Sequence, residues 1–196
     1  LILADTSAHA DEVALDLLAQ AEPDPHAQVI LVSTSQILAQ QVREELLRRL
    51  PATARAKIIE ASLRDHGALF VAPDLASALS FSNAYAPEHL TLMLQAPRAA
   101  LAQIRNAGSV FLGRHAPVSL GDYGSGTNHV LPTLGHARTR GGLGVEDFRK
   151  WVTWQDATPE GLRALGAAIG AMAHAEGMIA HDEAMEGGSD SLGTTH

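Results

Sequence analysis

The run Q-V-I-L-V-S-T at positions 28–34 constrains the fold more than any other feature of the sequence. Its aliphatic and β-branched residues follow one another without polar alternation, which is typical of a strand buried on both faces of a parallel sheet. Residues 1–4 form a second apolar run, which begins without a turn or a cap. We therefore expect the natural start of the protein to lie upstream of this run.

Amphipathic helices follow both runs. Over residues 11–22 the apolar side chains recur with the helical period, while Glu12 and Asp16 are predicted to point away from the apolar face. Ser35 is placed to cap a second helix that extends to about Leu50. This alternation predicts an α/β fold, in which part of a Rossmann-like parallel sheet is flanked by helices.

Further short elements are predicted in the middle of the chain. Residues 57–61 and 68–72 are strand candidates, and Asp74 can cap a short helix. Residues 109–112 form the one clear strand within a glycine-rich stretch at 106–144. Because linkers seldom carry so many large apolar side chains, this stretch is interpreted as a binding loop.

The C-terminal part of the sequence predicts a helical arm. Thr158 and Pro159 open an alanine-rich helix whose apolar stripe is wide enough to need a partner surface, which suggests a dimer. Gly177 separates this helix from a second, shorter one. We expect three parts: a Rossmann-like catalytic domain at 1–144, a dimerisation arm at 145–186 and a disordered tail at 187–196.

Composition excludes several classes of function. Because the sequence has no cysteine, disulfides, thiol nucleophiles and cysteine-bound metals are excluded, and a cytoplasmic location is favoured. The net charge of −8 argues against a nucleic-acid partner, since no basic stripe could replace the counterions of a phosphate backbone. The sequence contains no long apolar run and no basic leader, so we expect neither a membrane span nor a signal peptide.

The pentapeptide A-P-E-H-L at 86–90 is the first candidate site. Glu88 and His89 could act as a general acid/base pair, because imidazole titrates near neutrality and burial can tune a carboxylic acid toward it. The alternative is an exposed glutamate beside a histidine at a strand edge. The sequence contains no phosphate-binding loop and no nucleophile elbow.

A second candidate is the block G-D-Y-G-S-G-T-N-H-V-L-P at 121–132. Its glycines allow a small polar substrate to approach the backbone closely, and Asp122 can bind a hard or borderline cation. The alternative is a loop in which Asx turns satisfy the polar side chains locally. Both interpretations remain open on composition alone.

Two weaker candidates lie near the ends of predicted helices. Glu176 and His181 converge on one site only if Gly177 breaks the helix between them; otherwise they are a solvated glutamate and a histidine at a helix end. Gln20 lies at the edge of an apolar helix face, where its amide can either bond a neighbour or bind a metal.

Taken together, these segments resemble L-histidinol dehydrogenase, the enzyme of the last two steps of histidine biosynthesis. Five blocks carry the resemblance: D-L-L-A-Q-A-E at 16–22, N-A-Y-A-P-E-H-L at 83–90, A-G-S-V-F-L-G at 107–113, G-D-Y-G-S-G-T-N-H-V-L-P-T at 121–133 and A-E-G-M-I-A-H at 175–181. They stand in the family's order over almost the whole chain, and the fourth block is highly specific.

The resemblance implies a zinc- and NAD-dependent oxidation of L-histidinol through L-histidinal to L-histidine. It implies that His89 is the general base that takes the alcohol proton, and that Glu88 activates water for the second oxidation. It further implies the zinc ligands Gln20, Asp122 and His181 and the substrate-binding residues His129 and Glu176. Because the family's C-terminal segment reaches into the neighbouring subunit, it also implies a homodimer through the C-terminal arm.

The sequence departs from the family in two ways. Where the family has a zinc-binding histidine three residues after the glutamine, this chain has Pro23; His26 is a candidate replacement, although Pro23 and Pro25 restrict the backbone. The chain also corresponds to about the C-terminal half of the family and lacks the domain that binds NAD. We therefore expect activity only with a complementary N-terminal segment. The alternative is a non-catalytic remnant or binding module.

Overall fold

The structure is a computed structural model that describes residues 1–190, with side chains described as far as Met185. The chain divides into two compact units, Leu1–Phe148 and Arg149–His196. The boundary between these units lies four residues beyond the one predicted at position 144. In the described part of the chain, no helix is long and apolar enough to cross a membrane.

A five-stranded parallel sheet forms the centre of the first unit, with the strand order β3-β2-β1-β4-β5. The α/β class and the parallel sheet predicted from the sequence are confirmed. The strand β2 falls within the apolar run at 28–34 that predicted it. The strands are β1 (Ile2–Ala4), β2 (Val29–Ser33), β3 (Gly67–Val71), β4 (His89–Met93) and β5 (Ser109–Leu112).

Helices pack on the sheet. They are α1 (Ala10–Ala21), α2 (Gln36–Arg49), α3 (Ala56–His66), α4 (Leu75–Tyr85), α5 (Pro97–Leu101) and α6 (Val118–Tyr123). Ser35 and Asp74 cap α2 and α4 as predicted, since each side chain accepts a hydrogen bond from a backbone N–H of the first turn. Alternate strand residues contribute to two apolar clusters, so both faces of the sheet are buried.

Two predictions about this unit are wrong. Residues 57–61 lie in α3 and not in a strand, because Ile59 and Leu63 stand four residues apart and pack together against the cluster that contains α1. Asp16 does not point away from the core; it is only 6% exposed and is bonded to Thr91 of β4. A polar residue on an amphipathic helix ordinarily faces solvent, but the position of Asp16 on α1 places it beside the sheet.

The second unit contains two helices that pack against each other, α7 (Pro159–Ala175) and α8 (Ile179–Asp190). Thr158 caps α7, because its hydroxyl accepts a hydrogen bond from Gly161 N at 3.1 Å. Gly177 adopts φ +73° and separates the two helices as predicted. Because α8 continues to Asp190, the predicted disordered tail at 187–196 begins as helix, and the rest of that tail lies outside the described residues.

Candidate active site

A cavity of about 780 Å³ lies at the amino ends of β1 and β4 in the first unit. Ligands of doubly wound sheets ordinarily bind at the carboxyl ends of the strands, so this cavity lies at the opposite edge. Its walls come from the end of α1, the connection between α4 and β4, α6 and the loop at 133–138. Four candidate site residues predicted from the sequence line it: Gln20, Glu88, His89 and Asp122.

A tight turn delivers Glu88 and His89 to the cavity. The helix α4 ends at Tyr85, and the next residue, Ala86, is buried and adopts φ 57° and ψ 66°, a left-handed conformation that residues other than glycine seldom adopt. Pro87 follows and restricts the backbone further, and β4 begins at His89. The chain therefore passes from helix to strand within three residues, and both functional side chains lie at the beginning of the strand.

The imidazole of His89 faces the carboxyl group of Asp122. Its Nε2 lies 3.8 Å from Oδ1 of Asp122, which is too long for a hydrogen bond. This buried Nε2 has no hydrogen-bond partner in the described part of the chain. The ring also packs on Phe111 of β5, with 5.9 Å between the ring centroids. A substrate hydroxyl beside Nε2 would supply the hydrogen-bond partner that this nitrogen lacks among the described residues, which is the geometry required of a general base.

The close approach of α6 to β5 positions Asp122. A Cβ added to Gly121 would lie 2.5 Å from the ring of Phe111, so a larger residue would push α6 outward. The glycine-rich block contains an Asx-type contact as well, because Oδ1 of Asn128 accepts a hydrogen bond from Val130 N at 2.8 Å. Local turn bonding and a cavity-lining carboxyl group therefore coexist in this block.

The amide of Gln20 is bonded at both ends. Its Nε2 donates to Oδ2 of Asp16 at 3.2 Å, and its Oε1 accepts from the nitrogen of Leu1 at 3.3 Å. An amide oxygen has two lone pairs, so Oε1 keeps one acceptor site beyond its bond to Leu1, and Gln20 lines the cavity. The two interpretations of Gln20, a hydrogen-bonding amide and a cavity ligand, are therefore compatible.

The charged lining of the cavity is predominantly acidic. Asp24, Glu88 and Asp122 contribute three carboxyl groups. The guanidinium of Arg138 also lines the cavity, but it donates to two main-chain carbonyl groups. Burial raises the pKa of Tyr85 above its usual range, so this lining phenol stays neutral. This distribution of charge favours a cationic ligand.

Three predicted site residues lie elsewhere. His129 is exposed in the loop after α6 and is not among the residues that line the cavity. Glu176 follows the last residue of α7 and His181 lies in the first turn of α8, and both side chains are exposed in the second unit. Gly177 lies between them with a left-handed backbone, which is the helix break that their convergence would require.

A family model described as histidinol dehydrogenase matches residues 1–187. The chain belongs to the histidinol dehydrogenase family. Histidinol dehydrogenase from Methanothermobacter thermautotrophicus is 49% identical over 183 residues, which cover 93% of this chain and 43% of that protein. The Vibrio vulnificus (strain CMCP6) histidinol dehydrogenase is 46% identical over 185 residues, with coverage of 94% and 43%.

The fold agrees with this family. The crystal structure of histidinol dehydrogenase from Elizabethkingia anophelis matches with a TM-score of 0.94 and 39% identity, covering 98% of this chain and 44% of that chain. The resemblance identified from the sequence blocks is thus confirmed. The chain spans less than half the length of the histidinol dehydrogenases that it matches.

The cavity contains donor types that suit zinc, but the donors are not gathered into a complete set. Gln20 and Asp122 line it with oxygen donors, and His26 lines it with an imidazole. Pro23, three residues after Gln20, lines it too. Within residues 1–185, no three His, Asp or Glu side chains are arranged to hold a metal. The residues fit zinc in chemical type.

Sequence reasoning missed two polar residues at this site. Asp16 precedes Gln20 by four residues, so the helical period places both side chains on one face of α1, and this signal was available. No sequence pattern could have identified Arg138, because its place in the cavity lining depends on the conformation of the loop at 133–138.

Proposed function

We propose that this chain forms part of the active site of a histidinol dehydrogenase. With a complementary N-terminal segment, it oxidises L-histidinol through L-histidinal to L-histidine, with NAD as the hydride acceptor. The observation that supports this most directly is that Nε2 of His89, which has no hydrogen-bond partner among the described residues, faces Asp122 in one acidic cavity. A substrate that carries an amine is cationic near neutral pH, which suits this lining.

His89 and Glu88 divide the proton transfers. In the first oxidation His89 accepts the hydroxyl proton while the carbon-bound hydrogen leaves as hydride to NAD, which gives the aldehyde. In the second, Glu88 accepts a proton from the water that adds to the aldehyde, and a second hydride leaves the hydrate to a second NAD. Both groups lie at the beginning of β4, so a single bound substrate can reach them in turn.

Zinc is part of the proposal. Gln20, Asp122 and His181 would hold it, and when bound it would fix the imidazole and amine of the substrate in place. His129 and Glu176 are proposed to hold the substrate. The support is the donor chemistry of the cavity and the position of these residues in sequence blocks typical of the family.

A homodimer through the second unit is also proposed. Several large apolar side chains of this unit are exposed, and burying them against a second copy would remove their cost in water. They are Trp151, Val152, Trp154, Leu165 and Met172. A partner's arm would bring Glu176 and His181 to the active site. We place the protein in the cytoplasm, because it has no cysteine and its proposed reaction is biosynthetic.

Two observations favour a second candidate function, a non-catalytic remnant or binding module. Pro23 cannot serve as a metal ligand, and no complete metal set is gathered among residues 1–185. Such a remnant would keep the fold and the cavity without completing the reaction.

Reconstitution separates the two functions. The 196-residue chain is mixed with a segment that corresponds to the N-terminal part of a related histidinol dehydrogenase, and NAD reduction is followed at 340 nm with zinc and L-histidinol. Histidinol-dependent reduction at two NAD per histidinol, with stoichiometric zinc, is expected of the enzyme. Absence of both zinc binding and a thermal shift with histidinol or histidine would instead support the remnant.

A further inference from the structure

Asp16 is a buried carboxyl group that the proposed reaction does not use. It lies on α1, is 6% exposed and accepts three hydrogen bonds. The donors are Thr91 Oγ1 at 3.0 Å, Gln20 Nε2 at 3.2 Å and Val118 N at 3.4 Å. Burying a carboxyl group is costly unless donors satisfy it, so these three bonds determine where its neighbours can lie.

Each of the three donors to Asp16 either is a candidate site residue or lies one repeat of its strand or helix away from such a residue. One of the donors, Gln20, is itself a candidate site residue. Thr91 lies two residues after His89 on β4, so both side chains leave the same face of the sheet. Val118 lies four residues, about one helical turn, before Asp122 on α6. One carboxyl group therefore joins the three segments that carry Gln20, His89 and Asp122.

The contact with Gln20 also determines which end of the amide faces the cavity. Because the carboxyl oxygen of Asp16 can only accept from an amide NH₂, it holds Nε2 of Gln20 inward and leaves Oε1 on the opposite side. A metal or a substrate amine can use the oxygen and not the NH₂ group. Partners behind a ligand commonly control its orientation in this way.

We propose that Asp16 is a positioning residue of the active site, which orients the Gln20 oxygen toward the cavity and sets the spacing of α6 from β4. This inference rests on the proposed function, because it assigns Gln20 a ligand to hold. Asp16 touches neither the substrate nor the reacting atoms, and it acts only through its neighbours.

The test is a double-mutant cycle on zinc binding by the whole chain, measured by competition with a chromophoric chelator. Asp16→Asn keeps the size of the side chain but replaces one accepting oxygen with an NH₂ group, so the donors on Gln20, Thr91 and Val118 can no longer all be satisfied. We expect zinc affinity to fall by about tenfold or more, as for other partners behind metal ligands. In the Gln20→Ala background the same change is expected to have a smaller effect, because only the spacing of α6 is then left for Asp16 to set.

Two controls separate positioning from folding. Asp5→Asn alters another carboxyl group, at the far end of β1, that accepts three hydrogen bonds, two from Ser7 and one from Gln95, and it is expected to leave zinc affinity unchanged. If Asp16→Asn does not fold, the wild-type chain still provides a test by NMR. The side-chain amide protons of Gln20 are then expected to exchange with water at least about tenfold more slowly than those of Gln41, which is exposed on α2.

The outcomes distinguish this inference from the proposed function. If the wild-type chain binds zinc, any of three results overturns the role of Asp16 and leaves the dehydrogenase proposal intact. These results are an unchanged zinc affinity in the Asp16→Asn variant, additive effects in the double-mutant cycle, and fast exchange of the Gln20 side-chain amide protons. Absence of zinc binding by the wild-type chain overturns the zinc assignment, and the role of Asp16 in orienting a zinc ligand is overturned with it.

Discussion

Gly108 offers a direct test of how tightly β5 packs beside the candidate active site. Its N–H donates to Pro87 O at 2.9 Å, and the next residue, Ser109, donates to Glu88 O at 2.9 Å. A Cβ on Gly108 would lie 2.6 Å from Glu88 O and 3.1 Å from Cδ of Pro132. The oxygen of Glu88 belongs to the backbone and cannot rotate away. Gly108→Ala must therefore push β5 away from β4 at the point where Glu88 enters the cavity.

The size of the effect follows from these contacts. Overpacking of this kind costs about 1–3 kcal/mol, and weakening one of the two interstrand hydrogen bonds adds about 1 kcal/mol. We therefore expect Gly108→Ala to lower the free energy of unfolding of the first unit by about 2–4 kcal/mol. Because Glu88 and His89 move with the backbone, histidinol binding is expected to weaken as well.

Urea unfolding followed by circular dichroism measures the change, with Gly141→Ala as the matched control. A Cβ on Gly141 would meet no atom within 4 Å, so its replacement tests only the effect of alanine on the unfolded chain. That effect is common to both variants and cancels in their difference. If the two variants unfold within about 0.5 kcal/mol of each other, the close packing of β5 on Glu88 is not as described.

Three further predictions concern single side chains. In the reconstituted enzyme, His89→Asn is expected to abolish NAD reduction while histidinol still binds, because a general base acts in the reaction and not in ground-state contacts; normal turnover would exclude this role. Pro23→His creates the Q-x-x-H spacing that the resemblance implies for a zinc site and is expected to raise zinc affinity by at least about tenfold in a chelator competition; unchanged affinity would mean that position 23 cannot present a ligand. The N–H of Ser77 holds the pKa of Asp74 below its usual range, so the stability that this cap contributes is present above about pH 4 and is lost as the pH falls through the lowered pKa. Asp74→Asn keeps a capping side chain that does not titrate. As the pH falls from about 5 to 2, the variant is therefore expected to lose less thermal stability than the wild type. Superimposable curves of melting temperature against pH would contradict this.

Elements with a strong local signal were predictable. The strand β2, the caps at Ser35 and Asp74 and the break at Gly177 depend on residues close together in the chain, so periodicity and capping rules identify them. The error at 57–61 has the same origin. Two adjacent isoleucines suggest a short strand, and only the spacing of Ile59 to Leu63 over the longer segment reveals a helix.

For the candidate site, the sequence predicted which residues belong to it but not the distances and contacts between them. Family-like blocks singled out His89 and Asp122 and predicted that they share one pocket, which is confirmed, but no local pattern encodes the distance between them. Asp16 was misassigned because its partners, Thr91 and Val118, are 75 and 102 residues away. A polar residue on an amphipathic helix is ordinarily solvated, and its burial can be recognised only when those distant donors are known.

The order of residues along the chain by itself determined the α/β class, the helix caps and the family, because each depends on short-range patterns or on specific blocks. Only the tertiary structure decided that β4 lies next to β1 and between β1 and β5, which brings the amino ends of β1 and β4, α6 and the end of α1 to one cavity. Strand order is set by how helices cover the two faces of the sheet, and that depends on contacts between segments far apart in the chain. The gap of 3.8 Å between His89 and Asp122 is a result of this packing and is not encoded near either residue.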